Sequence, residues 1–234
     1  MKRVGHKGAD LIAPGNTLES FDAALGAGVD MVEFDVLPEH RDGSGRLVLA
    51  HDYSVLATRS PLTLEQGLAH FAADAYTGIE LDLDLKLPGY EARVVDALRA
   101  HGLAERTLIS TMEQSSLRTL RALAPDIRLG WSVPRLRRNP LEHPLTRVPA
   151  MAVGLGVRRI LPRRAAQAIR AGHIDALMCH YALVSARLVR AIDAVGGELY
   201  VWTVDEAPRI DALRALGVSG IITNDPRLFD VAPA

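Results

Sequence analysis

Short runs of β-branched and apolar residues alternate along the chain with longer stretches in which apolar residues recur every three or four positions. The short runs predict strands and the longer stretches predict amphipathic helices. The predicted strands are Lys2–Gly5, Asp30–Val36, Ile79–Lys86, Thr107–Ser110, Ile127–Ser132, Ala176–His180, Glu198–Val204 and Gly220–Thr223. The predicted helices are Leu18–Ala27, Leu64–Ala73, Tyr90–His101, Gln114–Leu123, Arg163–Ala171, Ala186–Val195 and Glu206–Leu216. This alternation favours parallel βα units, and eight strands of this kind predict an α/β fold of the TIM (β/α)₈ barrel type.

One apolar run does not fit the βα alternation. Arg46–Ala50 follows the second strand after only about ten residues, which include two glycines. That connection is too short for a parallel crossover but suits a hairpin. We therefore expect a short β-hairpin arm after strand 2 that leaves the barrel mouth and returns, bringing His51 back to it.

The composition indicates a soluble globular protein, with 234 residues, 48% hydrophobic residues and a formal net charge of −1. We expect residues 1–234 to form a single domain. No apolar run is long enough to span a membrane without charges, and no N-terminal targeting segment is visible. The single cysteine, Cys179, cannot form an internal disulfide, which suits a reducing, cytoplasmic location. The few, scattered aromatic residues argue against a nucleic-acid partner.

The charge is unevenly distributed. Residues 128–170 contain ten arginines and one acidic residue, Glu142. Such a region could attract an anionic substrate or make a weak contact with a membrane surface. The alternative is an ordinary solvated helix face. The sequence leaves the oligomeric state open.

Two carboxylates in the second predicted strand indicate a cation site. Glu33 and Asp35 alternate with apolar neighbours, so both side chains point to the same face of the strand. Adjacent carboxylates repel unless a positive charge lies between them, and their oxygens favour one hard divalent cation, Mg²⁺ or Ca²⁺. His6 and His51 each lie next to the end of an apolar run and could supply acid and base for metal-assisted hydrolysis. Each of these residues also has a purely structural interpretation.

Several short motifs follow one another in a familiar order. The N-terminal motifs are His6-Lys7-Gly8, Asn16-Thr17, Glu33-Phe34-Asp35 and His51-Asp52. The later motifs are Asp84-Leu85-Lys86, Tyr200-Val201-Trp202-Thr203-Val204 and Gly217-Val218-Ser219-Gly220-Ile221-Ile222-Thr223. In these residues the chain resembles the glycerophosphodiester phosphodiesterase family, whose signature reads roughly H-R-G, N-T, E-x-D, H-D, E-x-K, W-T-V and G-V-D-G-I-I-T. The resemblance covers nearly the whole chain and is least specific in the middle.

The resemblance implies a metal-dependent phosphodiesterase that releases glycerol-3-phosphate and a free alcohol. It makes His6 and His51 the acid/base pair, leaving open which is which. It makes Glu33, Asp35 and Asp84 the metal ligands. Asp82 shares the face of Asp84, one step deeper in the barrel, and competes for the third ligand position. Lys86 would place a positive charge beside the phosphate of a small-molecule substrate.

Three departures from the family pattern concern the candidate site. Lys7 replaces arginine, and a lysine can still contact a phosphate oxygen, but as a point charge without the two-pronged geometry of a guanidinium. Gly15 stands where the family commonly has glutamate, and Asp84 is one methylene shorter than the usual glutamate. These departures make a degenerate, phosphodiester-binding barrel an alternative, which the retained histidines and Glu33 and Asp35 oppose.

Two further residues are candidates for substrate binding. Asn16 is expected to approach the phosphate or a metal-bound water, with a helix cap as the alternative. Trp202 could form an apolar wall for the alcohol, with barrel core as the alternative. The segment after His51 is shorter than the insertion that family members often carry, so we expect a more open site. An open rim also suits a lysophospholipid, which makes a lysophospholipase D-type activity the main alternative function.

Overall fold

The computed structural model describes residues 1–134 and 144–231, with the backbone alone described for residues 144–155. The strands are β1 (Lys2–Gly5), β2 (Met31–Pro38), β3 (Leu47–Leu49), β4 (Glu80–Leu85), β5 (Thr107–Thr111), β6 (Arg128–Val133), β7 (Ala176–His180), β8 (Glu198–Trp202) and β9 (Gly220–Thr223). The α-helices are α1 (Leu18–Gly26), α2 (Tyr53–Thr58), α3 (Leu64–Phe71), α4 (Glu91–Ala100), α5 (Gln114–Leu123), α6 (Pro144–Arg170), α7 (Ala186–Asp193) and α8 (Ala207–Leu216).

Eight of the strands form a closed parallel barrel, so the predicted TIM barrel is confirmed. β1 closes it by pairing in parallel with β2 on one side and with β9 on the other. The remaining strand, β3, pairs antiparallel with the end of β2, where Val36 faces Leu49. This confirms the hairpin arm and explains why β2 continues to Pro38, two residues beyond its predicted end.

Two helices differ from the sequence prediction. The predicted helix Arg163–Ala171 begins after Pro162, because proline normally interrupts a helix. The observed helix α6 begins at Pro144 and continues through Pro162. Leu161 and Ala165, one turn apart, are buried against the cluster that includes β7 and β8, and this packing favours the helical path. The short helix α2 was not predicted. It begins after Asp52, whose carboxylate accepts a hydrogen bond from the amide of Ser54.

The barrel interior is packed by apolar side chains below the mouth. One buried cluster there consists of Val4, Met31, Leu108, Ala176, Met178, Tyr200 and Ile222. Gly130 of β6 leaves the room this packing needs, because a Cβ at that position would lie 2.8 Å from Leu108 and 3.0 Å from Met178. The interior is therefore solid, and a ligand can reach the barrel at its ends rather than through it.

The N-terminal end of the barrel carries a balanced ion network. Glu80 of β4 pairs with Lys2 at 2.7 Å and with Arg128 of β6. Glu198 of β8 pairs with the same two cations, at 3.6 Å and 3.2 Å. Two carboxylates and two cations thus compensate each other at this end. Arg128, the first arginine of the Arg-rich region, is therefore engaged here.

Candidate active site

The predicted site residues lie at the C-terminal end of the barrel. His6 directly follows β1, Glu33 and Asp35 are on β2, and Asp84 is on β4 with Lys86 directly after it. The arm carries His51 to the same end, as expected. The parallel register explains the convergence, because Asp35 and Asp84 are opposite each other on neighbouring strands.

Three carboxylates form one cluster. One oxygen each from Glu33, Asp35 and Asp84 lie within 4.8 Å of one another. Glu33 is 5% exposed and Asp35 is 0% exposed. The ammonium of Lys86 lies 2.5 Å from Asp35 Oδ1 and 2.5 Å from Asp84 Oδ2. The other oxygen of Asp84 is buried and, among the described residues, has no hydrogen-bond partner.

This cluster fits a hard divalent cation. All its donors are carboxylate oxygens, which Mg²⁺ and Ca²⁺ prefer. Burial, with the charge of Asp35 adding to it, raises the pKa of Glu33 well above its usual range. Burial alone would raise the pKa of Asp35 too, but the ammonium of Lys86 holds it below its ordinary value. One lysine therefore leaves the three carboxylates undercompensated, and a cation would relieve their repulsion.

Asp82 lies deeper in the barrel, opposite Glu33 in the register of β2 and β4. Its side chain is 1% exposed, and burial raises its pKa to about 7. The carboxylate cluster contains Asp84 and not Asp82. The geometry therefore favours Asp84 over Asp82 as the third ligand.

The loop after β1 wraps around the carboxylates. Asn16 donates from Nδ2 to Asp35 Oδ2 at 2.8 Å, and its Oδ1 accepts from the Asp35 amide at 3.0 Å. The cap of α1 is Thr17, which forms a capping box with Ser20, so Asn16 is free to hold Asp35. Gly8 allows the loop to pass close to α1, because a Cβ there would lie 2.5 Å from the carbonyl carbon of Ser20.

Lys7 contributes its backbone to the site and its side chain to an ion pair. Its amide donates to Glu33 Oε2 at 2.8 Å. Its ammonium lies 3.1 Å from Asp10 Oδ2, so it does not touch the carboxylate cluster in this conformation. Contact between Lys7 and a phosphate would require the side chain to leave Asp10.

The ring of His6 is held on both sides. Nδ1 lies 2.5 Å from Asn224 Oδ1, and Nε2 lies 3.9 Å from Glu33 Oε2. Burial and then the charge of Lys7 lower the pKa of His6 to about 4. The imidazole is therefore neutral near neutral pH, as a proton acceptor must be. Sequence analysis did not identify Asn224 as a site residue. Asn224 directly follows the last strand, which lies next to β1 in a closed barrel, and this position could have indicated its contact with His6.

His51 is the more open of the two histidines. Its side chain is 53% exposed, and Nδ1 lies 3.2 Å from Asp52 Oδ2. Burial raises the pKa of Asp84 above its ordinary value, and the nearby Lys86 and His51 only partly oppose that rise. At Asp35, Lys86 and then His51 outweigh burial and lower the pKa. The segment 53–78 behind it holds only α2, α3 and one turn of 3₁₀ helix.

Trp202 ends β8 beside two aromatic side chains that sequence analysis did not assign to the site. The ring of His180, at the end of β7, meets Trp202 edge-on at 5.2 Å between centroids and lies 4.3 Å from the ring of Tyr181. Arg209 lies over the other aromatic ring, 4.2 Å from the centroid of Tyr181. These side chains form a partly exposed aromatic wall at the mouth.

The Arg-rich region is only partly described. Arg135, Arg137, Arg138 and the side chain of Arg147 lie outside the described residues. On α6 the exposed arginines are Arg158, Arg159, Arg163, Arg164 and Arg170. Among the described residues, no helix is both long and apolar enough to cross a membrane. The weak membrane-surface contact stays a prediction.

Fold and site together define a class of protein, a (β/α)₈ barrel with a carboxylate cluster that fits a cation and two histidines at its C-terminal mouth. The sequence model of the glycerophosphoryl diester phosphodiesterase family matches residues 6–61 and 61–228. The chain belongs to this family. A glycerophosphodiester phosphodiesterase of Caldanaerobacter subterraneus subsp. tengcongensis is 26% identical over 255 residues, which cover 95% of this chain and 93% of the relative.

Solved structures show the same fold. A glycerophosphodiester phosphodiesterase from Agrobacterium tumefaciens str. C58 has a TM-score of 0.71 at 19% identity, covering 98% of this chain and 99% of that one. An Oleispira antarctica phosphodiesterase, in complex with its product sn-glycerol-3-phosphate, has a TM-score of 0.69 at 20% identity. That match covers 99% of this chain and 97% of the other.

The carboxylate cluster predicts that a divalent cation stabilises the folded protein. Mg²⁺ or Ca²⁺ at about a hundredfold excess over its Kd should raise the free energy of unfolding by about 2.7 kcal/mol, which is several degrees in Tm. Asp84→Ala should remove most of that increase, and the matched variant Asp82→Asn should keep it. Thermal unfolding with each ion and with chelator measures both. A full increase in Asp84→Ala together with its loss in Asp82→Asn would make Asp82 the third ligand.

Proposed function

We propose that this protein is a metal-dependent phosphodiesterase that hydrolyses glycerophosphodiesters to glycerol-3-phosphate and an alcohol. The observation that carries the proposal is the cluster of Glu33, Asp35 and Asp84 beside the neutral ring of His6 at the barrel mouth. Family membership supports the reaction class. The glycerol-3-phosphate bound to the Oleispira phosphodiesterase supports the product.

The residues of the mouth have complementary roles in this reaction. One histidine takes a proton from the attacking water and the other protonates the leaving alkoxide. Lys86, already beside the carboxylates, stabilises charge on the phosphate oxygens. A bound Mg²⁺ or Ca²⁺ supplies further positive charge for those oxygens. Glu33, Asp35 and Asp84 would hold that ion, and Asn16 keeps Asp35 in place for it.

Trp202 and its aromatic neighbours suit the alcohol half of the substrate. The wall is partly exposed and aromatic, and it lies at the same barrel end as the carboxylates. A choline or ethanolamine group resting there would meet aromatic faces, which attract cations. We therefore assign Trp202 to contact with the leaving alcohol.

A lysophospholipid is the second candidate substrate, favoured by two exposed apolar side chains. Leu11 is 64% exposed and Ile12 is 39% exposed. They belong to the loop after β1, and the Leu11 amide donates to the carbonyl of Asn224, the residue that contacts His6. An acyl chain could rest on this loop while the phosphodiester occupies the same site.

Replacing either histidine should abolish most turnover. His6→Ala and His51→Ala are each expected to lower kcat on glycerophosphocholine by about two to four orders of magnitude, because each removes a proton-transfer group. His40→Ala, at an exposed position in the turn of the arm, is the matched control and should keep parental turnover. Near-parental kcat in either of the first two variants would remove that histidine from the mechanism.

A substrate panel separates the candidate functions. Glycerophosphocholine, glycerophosphoethanolamine and lysophosphatidylcholine should each be assayed with Mg²⁺, with Ca²⁺ and with excess chelator. We expect cleavage of the glycerophosphodiesters, its loss in chelator and its recovery with added ion. Preferred cleavage of the lysophospholipid, reduced by a Leu11→Ser/Ile12→Ser variant, would support the second candidate. Binding of these ligands without product would indicate the degenerate barrel, and full activity in chelator would exclude a metal-dependent reaction.

Lys7 should bind the phosphate if its side chain leaves Asp10 for the substrate. Lys7→Ala should then weaken substrate binding by roughly 1–3 kcal/mol, the range for a lost charged hydrogen bond. Lys7→Arg should tighten binding if the pocket admits the larger head, because a guanidinium holds two oxygens. KM and kcat of both variants measure this. Unchanged parameters in Lys7→Ala would leave Lys7 as a rim residue paired with Asp10 and assign the phosphate contact to Lys86.

A further inference from the structure

Behind His6 lies a chain of hydrogen bonds that runs through Asn224 to Asp205. We propose that Asp205 and Asn224 are positioning residues that lock His6 in the tautomer with the proton on Nδ1, so that His6 starts the reaction as the base through Nε2. The tautomer follows from the geometry alone. The role as base rests on the proposed phosphodiesterase function.

The orientation of the Asn224 amide is fixed by Asp205. The Asp205 carboxylate has only acceptor atoms. Its Oδ1 accepts from the backbone amide of Asn224 at 2.8 Å, and its Oδ2 accepts from Asn224 Nδ2 at 2.7 Å. Thr223 Oγ1 donates to the same carboxylate at 3.1 Å. A flipped amide would set the Asn224 oxygen against a carboxylate oxygen, which repels, so the NH₂ group must face Asp205.

The protonation of His6 follows from that orientation. With NH₂ directed at Asp205, the amide oxygen of Asn224 faces His6 Nδ1 at 2.5 Å. An amide oxygen can only accept a hydrogen bond, so Nδ1 must carry a proton. A neutral imidazole has one ring proton, which leaves Nε2 bare.

This arrangement opposes the preference of the other neighbour. Glu33 Oε2 lies 3.9 Å from Nε2, and the charge of an ionised Glu33 would favour a proton on that nitrogen. Without the Asn224 oxygen, the tautomer with the proton on Nε2, the nitrogen facing Glu33, would be favoured. The amide holds the ring without adding a charge of its own next to Nδ1.

A bare Nε2 at the site defines the direction of proton transfer. As the oxygen of the attacking water forms its bond to phosphorus, one of the water protons goes to Nε2. As the bond between phosphorus and the alcohol oxygen breaks, that oxygen takes a proton from His51. One histidine gains the proton equivalent that the other loses, and exchange with water restores both rings. His51, half exposed and outside this chain of hydrogen bonds, is accordingly the acid.

The tautomer can be measured directly by ¹⁵N NMR, because protonated and bare ring nitrogens have different chemical shifts. We would record ¹⁵N-histidine-labelled protein in chelator at pH 8 and identify the His6 signals by their loss in His6→Ala. The parental protein should show a protonated Nδ1 and a bare Nε2. A predominant Nε2–H form in the parental protein would overturn the proposal, whatever the enzymatic activity turns out to be.

Asp205→Asn should reverse the tautomer. An amide at position 205 can keep its oxygen on the Asn224 backbone amide, which places its NH₂ opposite the Asn224 side chain. Asn224 should then flip and present its own NH₂ to His6, moving the ring proton to Nε2. We expect kcat to fall about 10- to 100-fold, the usual effect of losing an outer hydrogen-bonding partner, with KM changed less than about threefold.

The exchanged variant Asp205→Asn/Asn224→Asp provides the rescue. Here the amide at 205 donates to the carboxylate at 224, which again accepts from His6 Nδ1–H. The Nδ1–H signal should return and kcat should exceed that of Asp205→Asn. Asp225→Asn, in the same loop but bonded to Arg227, is the matched control and should retain both the tautomer and the turnover. An unchanged tautomer in Asp205→Asn, or no recovery of the Nδ1–H form in the exchanged variant, would overturn the proposal.

Discussion

The contact of Lys86 with Asp35 and Asp84 is the interaction on which the mouth of this barrel depends. Asp35 is fully buried, and a buried carboxylate costs several kcal/mol unless a cation and hydrogen bonds compensate it. Lys86 at 2.5 Å and Asn16 at 2.8 Å supply both. Glu33 adds a third carboxylate that Lys86 does not touch. Positive charge is therefore short here, and a divalent cation would relieve that imbalance.

The two ends of the barrel illustrate the difference between a structural and a functional charge cluster. At the N-terminal end, Glu80 and Glu198 face Lys2 and Arg128, so the charges cancel within the fold. At the C-terminal end, carboxylates exceed cations. Burial of like charges does not stabilise a fold, so the excess supports the proposed cation site. Barrel closure adds His6 to this end, because the pairing of β1 with β9 joins residues 218 positions apart in the chain.

The sequence predicted the parts of the site that local periodicity encodes. Alternation placed Glu33 and Asp35 on one face of a strand, and the short connection before Arg46–Ala50 predicted the arm that carries His51. Asp84 was found through the family motif, and register explains it, since Asp35 and Asp84 are opposite each other. Asn224 and Asp205 were not predicted as site residues, because their roles depend on contacts between distant loops. The full extent of α6 was not predicted, because the rule that proline ends a helix considers only local sequence. Burial of Leu161 and Ala165 outweighs the effect of Pro162.

Two departures from the family pattern belong to one local arrangement. Asp10 accepts from the amide of Gly15 at 2.8 Å and pairs with the ammonium of Lys7 at 3.1 Å. A Cβ at position 15 would lie 2.4 Å from Asp10 Oδ1 and 2.8 Å from the Cβ of Lys7. The carboxylate of Asp10 thus takes the room that any side chain at position 15 would need, a glutamate included. Glycine at 15 and lysine at 7 are therefore coupled through Asp10, and restoring the family residue at position 15 alone would displace the partner that now holds Lys7.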